Sequence, residues 1–174
     1  MTVSPPILGK ENAMKARCTV LAALAAAVTL TSVAAASPDA AKQQVEITAT
    51  GVANPASSLK FVLTPLGTGA LKPDSGTETS VVANQRVVTR DGQRAEIVTW
   101  VTTCKGKRGS FVLRVRIEHI DAGNGFHIGT GTWRFVRGTG AYAGITGGGR
   151  VANAWVESGS RALSERRDGF LTLP

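Results

Sequence analysis

Two histidines are the side chains best suited to acid–base chemistry in this sequence, and both lie in segments with strand character. His119 continues the apolar face of the alternating segment 111–117, so we expect it to point inward. There it would either serve as a general base or bond to backbone or water at the end of its strand. His127 shares its face with Trp133 and Phe135, which places it near a bound ligand or at the rim of the fold.

Glu96 and Cys104 share one face of the preceding segment with Trp100. If that face is internal, Glu96 is a buried acid suited to proton transfer. If Ile97 lies inside instead, Glu96 is a solvated surface charge. Cys104 is expected to be either a buried apolar side chain or an intermolecular link, and a catalytic thiol is the least favoured of its readings.

Other chemistries lack their characteristic residues. The two histidines are separated by eight positions with no acid at ligand spacing, so no metal site is predicted. The sequence holds no G-x-S-x-G elbow and no G-x-x-x-x-G-K-[ST] phosphate loop. We therefore expect no cofactor and favour a protein that is not an enzyme. The alternative is an isomerase or cyclase that works without a cofactor.

The N-terminal 36 residues have the features of an export signal. Lys15 and Arg17 precede the apolar segment 18–36, which ends in an Ala-Ala-Ala cleavage pattern. The apolar segment is too short and too rich in Ala and Thr for a membrane span. We expect residues 1–36 to be an extension and signal peptide, and residues 37–174 to be one secreted domain without a membrane span.

The charge of the chain favours anionic surroundings. The formal net charge is +8, and residues 1–36 hold three basic residues and one acidic residue, so the secreted part would keep +6. Its basic residues are scattered along the chain, which argues against nucleic acid and allows an anionic envelope polymer as partner. Basic residues at positions 105, 107 and 108 could form an anion-binding rim with Arg161, Arg166 and Arg167 if folding brings them together.

Alternating and β-branched residues predict about eight strands after position 43. Clear strands are expected over 45–50, 59–64, 81–90, 96–104, 111–117, 126–136 and 150–157, with a short last strand over 170–173 and a long loop over 65–79. Asp91-Gly92 marks a tight hairpin. No helical apolar stripe occurs there. The predicted fold is an all-β antiparallel barrel of about eight strands, with a β-sandwich as the alternative.

A glycine-rich segment carries a resemblance to a known family. The segment 133–149, Trp-Arg-Phe-Val-Arg-Gly-Thr-Gly-Ala-Tyr-Ala-Gly-Ile-Thr-Gly-Gly-Gly, resembles the core motif of the allene oxide cyclase and dirigent-like barrel superfamily, especially its small secreted bacterial members of unknown function. The resemblance implies an eight-stranded barrel with an apolar interior. It also implies a homo-oligomer as one option. Its plant members cyclise a fatty-acid epoxide or steer phenolic radical coupling.

The motif residues themselves are expected to be structural. Glycines would allow positive φ and close approach of the backbone, and the tyrosine would plug the barrel end with its hydroxyl on a backbone group. These residues are Gly138, Gly140, Tyr142 and Gly144.

The function expected from the sequence is a secreted binding or interaction module, with a small apolar ligand in the barrel. The alternatives are the isomerase or cyclase and an envelope-binding protein. The aromatic residues expected near the ligand are Trp100, Phe126, Trp133 and Phe135.

Overall fold

A computed structural model describes residues 41–53, 58–157 and 161–174 of the chain. In these residues eight antiparallel strands form a closed barrel in sequence order, with the last strand paired to the first. The strands are β1 (Lys42–Val52), β2 (Leu59–Leu66), β3 (Asp74–Arg90), β4 (Gln93–Gly106), β5 (Ser110–Gly123), β6 (Phe126–Gly138), β7 (Thr146–Val156) and β8 (Ala162–Thr172). The prediction of an all-β antiparallel barrel is confirmed.

The predicted extension and signal peptide, residues 1–36, lie outside the described residues. Within the described part of the chain, no helix has the length and apolar character needed to cross a membrane.

The largest differences from the predicted strand bounds are at the starts of β3 and β8, and both have a physical reason. β3 begins at Asp74, so the predicted loop over 65–79 is wrong for residues 74–79. Hydrogen bonding to β2 on one side and β4 on the other makes this polar segment a strand despite its weak propensity. β8 begins at Ala162 and not near Phe170, because charged residues occupy its inward positions and hide the apolar alternation.

One end of the barrel, which we call the plugged end, is filled by an apolar core beneath the β4–β5 turn and a short 3-10 helix (Gly140–Tyr142). Phe111 lies at the centre of this core. Its ring centroid is 5.4 Å from that of Phe61, 5.8 Å from that of Phe135 and 4.7 Å from that of Tyr142. Interlocked aromatic rings of this kind leave no room for a ligand at this end.

Tyr142 plugs this end, but its hydroxyl binds a carboxylate and not the expected backbone group. The hydroxyl donates to Oδ2 of Asp74 over 2.8 Å. Asp74 also accepts backbone N–H bonds from Ser75, Lys107 and Arg108. Burial alone would raise the pKa of Asp74, but these four hydrogen bonds outweigh it and lower the pKa below its usual value. Asp74 therefore ties the β4–β5 turn and the 3-10 helix to β3.

The glycines of the motif shape the connection around Tyr142. Gly140 and Gly144 have φ values of 60° and 73°, a region that disfavours other residues. A Cβ on Gly138 would lie 2.4 Å from the carbonyl oxygen of Tyr142, so this position requires close backbone approach. The segment resembling the cyclase and dirigent-like motif thus builds the plugged end.

Candidate functional site

The opposite half of the barrel, which we call the cavity end, encloses a cavity of about 320 Å³. Apolar and aromatic side chains form most of its wall, and charged side chains form its floor. Exposed residues of the wall, among them Val82 and Arg161, place the cavity in communication with solvent. Pockets that bind small molecules commonly start near 300 Å³ and combine apolar walls with a few polar groups.

Strand register explains how polar residues distant in sequence meet at this cavity. Along one row of paired residues, Glu96 lies opposite His119, which lies opposite Gly129, then Asn153, then Glu165. Paired residues on adjacent antiparallel strands share a face of the sheet. Four polar residues from four strands therefore point into the barrel side by side, with glycine between two of them.

A bulge in β3 completes the cavity wall. The pairing of β3 with β4 shifts between Val82 and Asn84, which adds one residue to β3. Val82 pairs with Trp100, and Gln85, beyond the bulge, pairs with Val98, so inward parity changes from even to odd numbers along β3. Without this extra residue, Gln85 would lie on the outer face of the barrel.

The floor of the cavity is a buried ion cluster built on Arg167. This arginine is only 1% exposed, and its guanidinium donates to Glu78 over 2.7 and 2.5 Å and to Glu165 over 2.5 Å. Burial raises the pKa of Glu165, and the nearby Glu78 carboxylate adds to this effect, although Arg167 opposes it. Burial would lower the pKa of Arg167, but the two carboxylates reverse the effect and raise it. One cation thus holds two acids, and Glu165 binds a proton more readily than an ordinary glutamate.

His119 and Asn153 carry buried polar atoms that lack partners. His119 is 9% exposed, and its Nε2 has no hydrogen-bond partner among the described residues. The same holds for Oδ1 of Asn153, whose Nδ2 donates to Glu165 over 3.2 Å. Burial lowers the pKa of His119, and the side chains of Glu96 and Asn153 oppose this only in part. The lowered pKa favours the neutral imidazole, and the His119 side chain belongs to the lining of the cavity.

The absence of a side chain at Gly129 allows His119 and Asn153 to lie close together. A Cβ at this position would lie 2.4 Å from both Cδ2 of His119 and Oδ1 of Asn153. Those distances are too short for any side chain, so the two polar groups share the space that a side chain would fill. Sequence reasoning missed the role of this glycine because β6 contains Gly131 as well and the spacing alone does not distinguish them.

Glu96 and His127, the other two acid–base candidates, lie nearer the mouth. Glu96 is partly buried, lines the cavity and accepts a hydrogen bond from the Gln85 amide. His127 stacks on Trp155 with ring centroids 4.0 Å apart, and its Nε2 lies 3.5 Å from Glu157. Trp155 lines the cavity and His127 does not. His127 thus lies at the rim, outside the cavity lining, where it stacks on Trp155.

Only one of the four aromatic residues expected near a ligand lines the cavity. Trp100 does so, whereas Phe135 belongs to the plugged core and Phe126 is 52% exposed on the outer face. Trp133 is buried against Gly169, where a Cβ would lie 2.8 Å from its ring, and its Nε1 donates to the Asp168 carbonyl. Residues on one inward face occupy different levels along the barrel axis, so residues that share a face do not all line the same cavity.

Cys104 lies inside the barrel, fully buried, with Sγ 3.5 Å from a carboxylate oxygen of Glu78. Burial raises the pKa of the thiol, and the Glu78 carboxylate raises it further. A buried and protonated thiol is a poor nucleophile. The folded barrel does not expose it for an intermolecular disulfide, which removes that alternative.

The basic residues proposed as an anion-binding rim do not come together. Arg108 and its neighbours lie at the plugged end, where their backbone binds Asp74, and Arg161 lies at the cavity end. Arg166 points outward and pairs with Glu46 and Asp168, while its neighbour Arg167 is buried. Glu96 and His119, which the sequence analysis named, do meet at the cavity. They are joined there by Glu78, Asn153 and Glu165, which it did not name, and by Arg167, which it placed in the wrong cluster.

The comparisons with known proteins add no assignment to this geometry. No family model, no curated protein and no solved structure matches the chain. Among the described residues, no group of three or more His, Cys, Asp or Glu side chains could hold a metal ion. The class of protein is therefore defined by the fold and the cavity, as a closed eight-stranded barrel with one filled end and one hollow end.

Proposed function

We propose that this protein is a secreted binding module that holds a small, mainly apolar molecule inside its barrel. The observation that carries the proposal is the cavity of about 320 Å³, whose lining includes Trp100 and Trp155 together with His119 and Asn153, each of which has an unpartnered polar atom. A ligand would bury apolar surface against the wall, and it would satisfy polar atoms that are costly to leave unpaired. The predicted export signal and the family resemblance agree with this proposal.

A cavity-blocking variant and a matched control test the binding proposal. Val98 is buried in the cavity wall, whereas Val81 is 69% exposed on the outside of β3. We expect Val98→Phe to abolish a small-molecule adduct seen by native mass spectrometry of protein from its own host, and Val81→Phe to keep it. Wild-type protein whose native mass equals its denatured mass, and which takes up no apolar probe, would overturn the proposal.

Catalysis of proton transfer on the bound molecule is a second candidate, and one specific observation favours it. A neutral histidine with a free ring nitrogen and a glutamate with a raised pKa border the same cavity. Such a pair suits an isomerase or cyclase that needs no cofactor.

Solvent deuterium distinguishes the two candidates. A ligand recovered after incubation with the protein in D₂O would carry deuterium at carbon or a changed skeleton if the protein is an isomerase or cyclase. It would be unchanged if the protein only binds. His119→Asn should stop the exchange, whereas His127→Asn, at the rim, should not.

A further inference from the structure

We propose that the ligand carries an uncharged hydroxyl group, which bridges His119 and Asn153 on the cavity floor. This inference rests on the proposed function and specifies the chemical class of the ligand. A hydroxyl group has one donor and two acceptor sites. It can therefore donate to Oδ1 of Asn153 and accept a hydrogen bond from Nε2 of His119.

The orientation of Asn153 supports a donor on the ligand. Its Nδ2 already donates to Oε2 of Glu165, which fixes the amide so that Oδ1 is the atom left over. An amide oxygen can only accept. Cδ2 of His119 lies with that oxygen in the space above Gly129, and Nε2 of the same ring forms no hydrogen bond with a described residue. One bridging O–H group would satisfy both atoms, whereas a methyl group would leave both unpaired.

The charges of the cavity argue against a carboxylate ligand. Arg167 is the only buried arginine of the described lining, and its N–H groups already bind Glu78 and Glu165. Glu96 adds a third carboxylate to the wall, directly opposite His119. Burial lowers the pKa of His119, which disfavours its charged form. A ligand carboxylate would therefore enter next to acids, with no unused buried cation to receive it.

Three probes with the same eight-carbon chain separate these features. 1-Octanol has the hydroxyl, 1-fluorooctane replaces it with a weakly accepting atom, and octanoate carries a charge. Affinities for the full chain would be measured by titration with detection of tryptophan fluorescence. The imidazole ¹⁵N shifts of His119 would be followed by NMR in parallel. We expect 1-octanol to bind at least about tenfold more tightly than either other probe, because unpaired buried atoms penalise both.

Variants assign the preference to the two side chains. His119→Phe and Asn153→Leu should bind 1-fluorooctane as well as wild type does but lose the preference for 1-octanol. His127→Phe, the same change at the rim, should keep it. Glu96→Gln should improve binding of octanoate relative to 1-octanol. If His119→Phe does not fold, Asn153→Leu and the wild-type imidazole shifts decide the question.

The outcomes are distinguishable. Equal binding of 1-octanol and 1-fluorooctane to wild type, or a preference that survives in both His119→Phe and Asn153→Leu, would overturn the hydroxyl proposal and leave the binding module intact. Tighter binding of octanoate would overturn the proposal of an uncharged ligand. Failure of all three probes to bind would count against the proposed function itself.

Discussion

The two halves of the barrel differ in what occupies the space enclosed by the strands. At the plugged end, aromatic rings around Phe111 pack tightly, and the buried carboxylate of Asp74 has four hydrogen-bond donors. At the cavity end, two acids share one guanidinium, two polar atoms lack partners and a cavity remains. A fully satisfied buried polar group contributes to stability, whereas an unsatisfied one is costly and requires an explanation. A bound ligand is the explanation that we propose here.

The glycine-rich segment that carries the family resemblance and the cavity that carries the proposed function lie at opposite ends of the barrel. The segment that resembles the cyclase and dirigent-like motif lies at the plugged end and forms the turn around Tyr142. The cavity is lined by residues of other segments, among them Glu78, Glu96 and Glu165. A motif that builds one end of a barrel does not determine the chemistry of the other end.

Among the variants considered, removal of the Arg167 guanidinium should cause the largest loss of unfolding free energy. Arg167→Met leaves Glu78 and Glu165 buried without their cation, which typically costs about 3–5 kcal/mol of unfolding free energy. The adjacent Arg166 is exposed and is the natural control, and Arg166→Met should change the free energy of unfolding little. Urea denaturation of both variants checks this.

A triple variant sharpens the same test. Replacing Glu78 and Glu165 with Leu in the Arg167→Met background should recover most of the lost stability, because an apolar floor has no unpaired charge. No recovery would mean that the loss reflects packing of the arginine side chain and not unpaired charge.

Tyr142→Phe should weaken the plugged end by about 1.5–3 kcal/mol, because it removes a hydrogen bond to the Asp74 carboxylate. The lowered pKa of Asp74 stabilises the fold above its unfolded pKa of about 3.9, and that stability is lost as the pH falls through the folded value. The variant should therefore unfold in acid at a higher pH than wild type.

The control for Tyr142→Phe is Ser110→Ala, which removes a hydroxyl bonded to Thr139 at an exposed position of the same end. Acid unfolding monitored by circular dichroism should give Ser110→Ala the same midpoint pH as wild type. A higher midpoint pH in both variants would argue against a specific role for the hydrogen bond between Tyr142 and Asp74.

Gly129→Ala should have the smallest effect on stability, about 1–3 kcal/mol, because the Cβ forces His119 and Asn153 apart inside the barrel. Its effect on ligand binding should be larger than its effect on stability, since the added methyl group displaces the two side chains that are proposed to hold the hydroxyl group.

Gly92→Asn is the matched control. Gly92 has φ of 77° in the β3–β4 turn with nothing within 4 Å of its Cβ position, and asparagine tolerates such a conformation. Thermal unfolding together with 1-octanol titration would compare the two variants. Unchanged ligand binding in Gly129→Ala would contradict the bridging position.

Alternation along the sequence predicted the strands and several inward residues. The face shared by Phe111, Leu113 and His119 does point into the barrel, as does the face of Glu96 and Trp100. The sequence could not place these residues along the axis. Phe135 and Trp100 were predicted to lie near one ligand, yet one belongs to the plugged core and the other to the cavity wall.

The sequence by itself determined the class of fold, because a period of two and the Asp91-Gly92 turn are local properties of the backbone. Only the tertiary structure decided the site. Read in sequence, Glu165 and Arg167 resemble solvated charges on a strand. They become a buried cluster because β8 closes on β1 and β7, which places Arg167 against Glu78, 89 residues earlier in the chain. Closure of a barrel is a long-range event, and no local pattern records which charges it buries.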